Sequence, residues 1–208
     1  MINPKIFQNK QIVIVGLRGS GKTFFSKWLL KSEKNHLAID FYARKTETDN
    51  KVNVVGGEYE GFHRYCPTNK VHGEPLQKEF DNLAEIIIEQ GKVKMFIIDE
   101  ANRIVPNRYP LPVQALELID KGRGFIRNGK EVEGGITIVW VARRLAQLET
   151  NIVETADFLI AFKQVGKNDL QRLEDFYGGL ADVMQREIDF DKHNFIISNG
   201  SDYSVEKI

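Results

Sequence analysis

A chain of 208 residues has room for one α/β domain with a substantial core but is short for two. Its 42% hydrophobic and 28% charged residues are typical of a globular protein, and no apolar run predicts a membrane span. The 29 Lys and Arg residues balance the 29 Asp and Glu residues, which excludes nucleic-acid binding through a global positive field and leaves only local basic patches.

The first predicted elements surround a glycine-rich loop. An apolar run at 11–15 indicates a buried parallel strand, and a helix-like segment follows at 24–30. Between them the chain matches G-x-x-x-x-G-K-[ST] at every fixed position, with Gly16, Leu17, Arg18, Gly19, Ser20, Gly21, Lys22 and Thr23. Such a loop binds phosphate through its N–H groups, with Lys22 on the β- and γ-phosphates and the Thr23 hydroxyl on Mg²⁺. We predict a nucleoside triphosphate site formed by residues 16–24, from Gly16 to Phe24.

The next part of the chain is less regular. A second strand is predicted at 36–41, followed by an irregular segment at 44–74 whose glycines and Pro67 are typical of an inserted hairpin or accessory loop. Pro75 then opens a helix that Gly91 ends. The sequence contains a single cysteine, Cys66, so it cannot form a disulfide within the chain, which is consistent with a reducing cytoplasm. No neighbouring sequence feature indicates that the Cys66 thiol is activated as a nucleophile.

Two acidic residues follow the third predicted strand, 93–98. Asp99 and Glu100 come at its carboxyl end, where ligands bind in open α/β sheets. Asp99 is the expected second Mg²⁺ residue, acting through the water shell that Mg²⁺ retains. Glu100 is the expected base that polarises the water attacking the γ-phosphate. This adjacent pair is typical of hydrolytic motors and absent from most P-loop kinases and GTPases.

The remaining elements complete an α/β pattern. A loop at 106–112 leads into a helix that runs to about Arg123, and an apolar strand follows at 136–141. Later elements are a short helix at 145–155, a strand at 158–162, a helix capped by Asn168 and Asp169, and a strand at 195–197. We therefore predict a single domain, 1–208, with a mostly parallel sheet and helices on both faces.

Hydrolysis at such a site needs a positively charged group beside the transferring phosphoryl group to compensate its negative charge. A neighbouring subunit often supplies that group as an arginine. Arg123 lies near the end of the helix before the 136–141 strand, and Arg143 and Arg144 follow that strand's carboxyl end. Adjacent arginines at a catalytic edge would repel each other without an anion nearby. For each of them, a solvent-exposed salt bridge is the alternative.

From residue 13 to about 176 the chain resembles the FtsK–HerA branch of the P-loop ATPases, which have a RecA-like (ASCE) fold. The resemblance rests on the Gly16–Thr23 loop, on Ile97-Ile98-Asp99-Glu100-Ala101-Asn102-Arg103, on Gly122-Arg123-Gly124 and on Val141-Ala142-Arg143-Arg144. The string at 156–162, followed by Asn168-Asp169-Leu170, is similar to the family's closing strand and helix. The compact length is most similar to the genome-packaging ATPases of membrane-containing icosahedral viruses.

This resemblance implies a Mg²⁺-dependent ATPase that pumps double-stranded DNA as a homo-oligomeric, typically hexameric ring. It places Arg143 at the position of the residue that senses the γ-phosphate, where the family commonly has glutamine. It also makes Arg123 the first candidate for the arginine finger and Arg144 the second. A capsid or membrane-vertex protein is the expected partner, in the host cytoplasm or on the virion and without membrane insertion.

A DNA pump needs basic loops that contact the phosphate backbone without reading bases. One basic cluster contains Lys121, Arg123, Arg127 and Lys130, and the loop after the acidic pair adds Arg103 and Arg108. A solvated charged face is the alternative interpretation. Neutral net charge predicts weak DNA binding by one subunit, which ring assembly would strengthen by avidity.

Three other functions remain open at this point. A Zot-like phage assembly or secretion ATPase would hydrolyse ATP in the same way but move a different substrate, although such proteins usually carry a membrane span. A small-molecule or nucleoside kinase would need an arginine-rich lid and no Glu100. A nucleotide-gated binding module would have Arg143 in place of a working sensor and would hydrolyse nothing.

Overall fold

The computed structural model describes residues 2–32, 36–39, 62–65, 67–68, 73–90, 93–107, 110–121, 125–127, 130–132 and 135–207. The strands are β1 (Gln11–Val15), β2 (His36–Ile39), β3 (Phe62–Tyr65), β4 (Met95–Ile98), β5 (Phe125–Arg127), β6 (Lys130–Val132), β7 (Thr137–Ala142), β8 (Phe158–Ala161), β9 (Asn194–Ser198) and β10 (Tyr203–Lys207). The α-helices are α1 (Lys22–Leu30), α2 (Glu74–Gln90), α3 (Val113–Lys121), α4 (Thr150–Glu154), α5 (Lys167–Tyr177) and α6 (Leu180–Arg186).

Eight strands form one sheet in the order β10-β9-β8-β1-β7-β4-β2-β3. Every pairing from β8 to β3 is parallel, while β9 and β10 are antiparallel at one edge. Every residue of β1, β4 and β7 is buried, as expected for parallel strands covered on both faces. The predicted α/β fold with a mostly parallel sheet is confirmed.

Two apolar layers cover the sheet. On one face Ile12 and Ile14 pack with Phe25 and Leu29 of α1. On the other face the alternate residues of the same strands pack with side chains from other helices, among them Phe80 of α2. Alternation along β1 therefore sends successive side chains to opposite layers.

The segment predicted to be irregular, 44–74, contains a regular element. Strand β3 lies inside it and pairs in parallel with β2, with Tyr65 opposite Ile39 at the end of the sheet. Most of the other residues of that segment, including Cys66, lie outside the described residues. A four-residue edge strand is too short for the alternation of apolar and polar residues to reveal it.

Other boundaries also differ from the sequence analysis. The helix predicted to be capped by Asn168 and Asp169 begins at Lys167 with Gly166 as its N-cap residue, so the capping prediction is wrong. That helix ends at Tyr177, and a separate helix, α6, begins at Leu180, because the chain turns at Gly178 and at Gly179 with φ 81°. The predicted helix at 145–155 is a 3₁₀ turn, Leu145–Gln147, followed by α4. The hairpin β5–β6 and the edge strand β10 have no counterpart in the sequence analysis.

Candidate nucleotide-binding site

The predicted site residues come together at one edge of the sheet. Strands β1, β4 and β7 run parallel, so the segments that follow them leave the sheet at the same edge. The glycine-rich loop follows β1, Asp99 and Glu100 follow β4, and Arg143 and Arg144 follow β7. Since β7 lies between β1 and β4, the acidic pair and the arginines flank the same side of the loop.

The loop has the backbone shape of a phosphate cradle. Gly19 and Gly21 adopt φ values of 82° and 113°, a region that residues with a side chain rarely occupy. Gly16 is required for a different reason, because a Cβ atom there would lie 2.5 Å from Cβ of Phe162 and 2.6 Å from Oγ of Ser20. The loop is held to β8 by the Leu17 N–H, which donates to the Lys163 carbonyl at 3.2 Å.

Several donors in this loop are left without a partner. Among the described residues, the backbone N–H groups of Gly19, Gly21, Lys22 and Thr23 have no acceptor. The Ser20 hydroxyl is also buried without a hydrogen-bond partner. Unpaired donors around a helix N-terminus favour an anion, so the loop fits a phosphate group.

Lys22 folds back over the loop. Its ammonium donates to the carbonyls of Gly16 at 2.6 Å and of Leu17 at 2.9 Å. Burial lowers the pKa of this ammonium, while the negative charges of Asp99 and Glu100 oppose that shift and Arg143 adds to it. The lysine of the loop and the acidic pair after β4 therefore lie within electrostatic range of each other.

The acidic pair sits on a tight turn. Glu100 has a φ of 51°, and its N–H donates to Oδ1 of Asp99 at 2.9 Å. A non-glycine residue in the left-handed region is uncommon and carries a conformational cost, so other contacts must hold it there. The hydrogen bond from the Glu100 N–H to Asp99 is one of the contacts that stabilise this turn.

Arg143 contacts Glu100 directly. Its Nε donates to Oε1 of Glu100 at 2.9 Å, and its Nη2 lies 2.9 Å from the same oxygen. The Arg143 side chain is 52% exposed and the Glu100 side chain 15% exposed. The residues predicted to be the base and the γ-phosphate sensor are thus bonded to each other in this state.

Arg144 points to a different partner. Its Nε donates to Oδ2 of Asp169 at 2.9 Å, and the other oxygen of Asp169 accepts the Ala146 N–H at 2.9 Å. Asp169 is 1% exposed, so its carboxylate joins the β7 loop to the first turn of α5. Gly166 leaves room for this contact, because a Cβ there would lie 2.8 Å from Nη2 of Arg144. Arg123, the other candidate for the finger, lies outside the described residues.

The donors expected to hold Mg²⁺ suit that ion. Thr23 is exposed in the first turn of α1 and Asp99 is partly buried at the end of β4, so the pair offers one hydroxyl and one carboxylate, the hard oxygen ligands that Mg²⁺ prefers. No group of three His, Cys, Asp or Glu side chains within the described residues could hold a metal ion. A cation at this edge would consequently need oxygen atoms from the bound phosphates as well.

Two residues after β8 support the site and were missed by the sequence analysis. The Lys163 ammonium donates to the carbonyls of Ile188 at 2.6 Å and Met184 at 2.9 Å, and its own carbonyl accepts from the glycine-rich loop. The buried amide of Gln164 donates to the Arg143 carbonyl at 3.1 Å. Neither residue belongs to a recognisable motif, so only their contacts identify them.

Solved structures with the same architecture identify the fold. The genome-packaging NTPase B204 from Sulfolobus turreted icosahedral virus 2, in complex with AMPPCP, superposes with a TM-score of 0.74 at 15% identity, covering 99% of each chain. B204 from Sulfolobus turreted icosahedral virus, a DNA-packaging ATPase, gives 0.74 at 17% identity and covers 96% of this chain and 98% of its own. This chain has a P-loop NTPase fold.

A more distant solved structure is the N-terminal domain of zonular occludens toxin from Neisseria meningitidis. Its TM-score is 0.51 at 10% identity, covering 96% of this chain and 93% of that domain. No protein-family model matches the sequence, and no curated protein matches it. The similarity to these solved structures is therefore one of fold. None of the helices in the described part of the chain combines the length and apolar character needed to cross a bilayer.

Proposed function

We propose that this protein is a Mg²⁺-dependent ATPase whose hydrolysis of ATP to ADP and phosphate drives the movement of double-stranded DNA, as in viral genome packaging. One observation carries the proposal: the glycine-rich loop with Lys22 after β1, and Asp99 and Glu100 after β4, leave the sheet at the same edge, with only β7 between the two strands. The fold shared with the packaging NTPase B204 supports the same interpretation. The loop from Gly16 to Phe24 would hold the phosphates.

The binding residues have separate roles. The free N–H groups of the loop and the Lys22 ammonium bind the β- and γ-phosphates, so Lys22 must leave the carbonyls of Gly16 and Leu17 when nucleotide enters. Thr23 and Asp99 would hold Mg²⁺, which when bound neutralises phosphate charge. A phosphate oxygen would replace the carbonyl partners that Lys22 loses, so its donors stay satisfied.

Glu100 and Arg143 carry the hydrolytic step. Glu100 accepts a proton from the attacking water, a P–O bond forms to the γ-phosphorus, and the bond to the ADP oxygen breaks. Arg143 occupies Oε1 of Glu100 in the present arrangement and would transfer to the γ-phosphate when ATP binds. Release of Glu100 would then coincide with arrival of the substrate.

A second positive charge would come from a neighbouring subunit of a homo-oligomeric ring, which we propose to be a hexamer. Arg123 remains the first candidate for this finger. The Nε of Arg144 is already bonded to Asp169 of the same chain, which favours a positioning role for Arg144 and makes it the weaker candidate. The Arg144 side chain is 43% exposed, so its remaining N–H groups still reach the surface.

The β5–β6 hairpin is the proposed DNA contact. It pairs outside the main sheet, and Arg127 lies opposite Lys130 in its register. Two basic residues paired in one hairpin can contact phosphates without reading bases. We place the motor in the host cytoplasm or on the virion, next to a capsid or membrane-vertex protein.

Steady-state ATPase activity, measured with and without double-stranded DNA across a range of protein concentrations, tests this proposal. A DNA-translocating ring predicts stimulation by DNA and a steep rise with concentration, because the active site is completed between subunits. Activity that responds to neither would contradict the motor. ATP consumption that requires an added acceptor would indicate a kinase instead.

A phage assembly or secretion ATPase is the second candidate. The superposition on the zonular occludens toxin domain favours it, although at a lower TM-score than B204. Such a motor would hydrolyse ATP through the same residues without stimulation by duplex DNA. Comparing ATPase activity with and without double-stranded DNA therefore distinguishes the DNA-translocating motor from the assembly or secretion ATPase.

A further inference from the structure

The turn before β9 presents an aromatic ring to the glycine-rich loop. Phe190 is 37% exposed, and a Cβ atom at Gly19 would lie 3.5 Å from Cζ of Phe190. Because β9 is antiparallel to β8, with Ile196 opposite Ala161, the residues before β9 lie at the edge where β1 and β8 end. The ring therefore borders the proposed nucleotide site.

This turn lies on the opposite flank of the loop from the acids. Asp99 and Glu100 follow β4, on the β7 side of β1, whereas the turn precedes β9, on the β8 side. A triphosphate whose γ end meets Lys22 and the acids must direct its other end away from β4. The nucleoside then reaches the flank that carries Phe190.

The turn is built to hold its shape. The Asp189 N–H donates to Oδ1 of Asn194 at 2.7 Å, and the Asn194 amide donates to the Glu187 carbonyl at 2.7 Å. The Lys163 ammonium binds the Ile188 carbonyl at 2.6 Å, while the Lys163 carbonyl accepts from Leu17. Lys163 thus links the turn that carries Phe190 to the glycine-rich loop.

The charges of the turn favour a neutral group beside the ring. Asp189 and Asp191 flank Phe190; within the described part of the chain Asp189 pairs with Lys192 at 3.3 Å and Asp191 has no salt-bridge partner. Carboxylates would repel phosphate, whereas an aromatic base carries no charge and stacks well on a phenyl ring. The His193 ring, 6.4 Å from that of Phe190, adds a second aromatic surface.

We propose that Phe190 is the stacking platform for the nucleotide base, a role that rests on the proposed nucleoside triphosphate site. Stacking on one phenyl ring uses the π-face that every base has, so the contact strengthens binding of purine nucleotides without choosing between adenine and guanine. Base selection, if present, then belongs to other groups.

Isothermal titration of the full chain with Mg-ATP, Mg-GTP and inorganic tripolyphosphate tests the proposal. Phe190→Ala should weaken ATP and GTP binding about tenfold, the effect expected for loss of one stacked base, and leave tripolyphosphate affinity unchanged. Phe190→Tyr should keep the ATP affinity of the parent. Tyr203→Ala, which removes an exposed aromatic ring from the edge strand β10, is the matched control and should leave all three affinities unchanged.

The contrary outcomes separate the two proposals. Equal loss of ATP and tripolyphosphate binding in Phe190→Ala would mean that the ring supports the loop, and would overturn the stacking role. Parent-like ATP binding by Phe190→Leu, or weakened ATP binding by Tyr203→Ala, would overturn it as well. A parent protein that binds tripolyphosphate as tightly as ATP would exclude a base contact but keep the phosphate site, whereas a parent that binds neither would overturn the proposed function itself.

Discussion

Two nitrogens of Arg143 meet one oxygen of Glu100, each at 2.9 Å, so the proposed base is bound by the proposed sensor. The residues come from neighbouring strands, β7 and β4, and lie 43 positions apart. An ion pair this exposed adds little stability, since surface pairs contribute about 0–1 kcal/mol. The ion pair matters for the proposed reaction, because an anion that attracts Arg143 would also release Glu100.

Replacing Glu100 should separate binding from hydrolysis. We expect Glu100→Gln to lower kcat by about 10²–10⁴-fold, the usual contribution of a general base, while ATP affinity is retained. Phosphate release and equilibrium nucleotide binding measure the two quantities. Glu154→Gln, an exposed change on α4, is the control and should behave as the parent. Parent-like hydrolysis by Glu100→Gln would contradict the assignment of the base.

Replacing Arg143 distinguishes a residue that assists hydrolysis at the γ-phosphate from one that only restrains Glu100. We expect Arg143→Ala to lower kcat by about 10²-fold, because a preorganised donor to the transferring phosphate is lost, and Arg143→Lys to restore part of it. Thermal unfolding should change little, as it should for the exposed control Arg186→Ala. Faster hydrolysis by Arg143→Ala would instead mean that Arg143 only restrains Glu100.

The buried Asp169 should matter for stability. Asp169→Asn removes a charge that accepts from the guanidinium of Arg144 and from the Ala146 N–H, and we expect a loss of about 2 kcal/mol in the free energy of unfolding. Asp182→Asn, in an exposed pair with Arg186, is the matched control and should cost less than about 0.5 kcal/mol. Urea denaturation measures both. Equal effects of the two changes would contradict a structural role for the Asp169 contact.

The lowered pKa of Lys22 predicts a pH dependence with a definite sign. Burial makes the folded chain release this proton at a lower pH than the unfolded chain, whose lysine keeps an ordinary value near 10.5. Between those two values the unfolded state binds more protons, so stability should rise with pH there relative to Lys22→Met, and should not below that window. Urea unfolding from pH 7 to pH 10 gives the comparison. Lys27→Met, an exposed change on the same helix, is the control and should keep the pH dependence of the parent. If Lys27→Met lost the rise with pH as Lys22→Met does, the assignment to Lys22 would be wrong.

Several elements could be predicted from the sequence because their signals are local. Four of the five residues before Gly16 are apolar because β1 is buried on both faces, and the loop after it is recognisable because its glycines satisfy backbone constraints within eight residues. Asp99 and Glu100 could be placed at the carboxyl edge because they directly follow β4. By contrast, strands β3 and β10 lie at the two ends of the sheet and contain polar and charged residues, so no apolar run marks them in the sequence.

The sequence by itself determined the α/β fold and the segments that supply phosphate-binding, acidic and basic groups, because strand burial and loop geometry act over a few neighbouring residues. Only the tertiary structure decided the pairings: Arg143 with Glu100, Arg144 with Asp169, and Phe190 against Gly19. These partners are 25 to 171 positions apart, so nothing local in the chain encodes their contact. The order of strands in the sheet brings them together, and that order depends on the packing of side chains in the two apolar layers that cover the sheet.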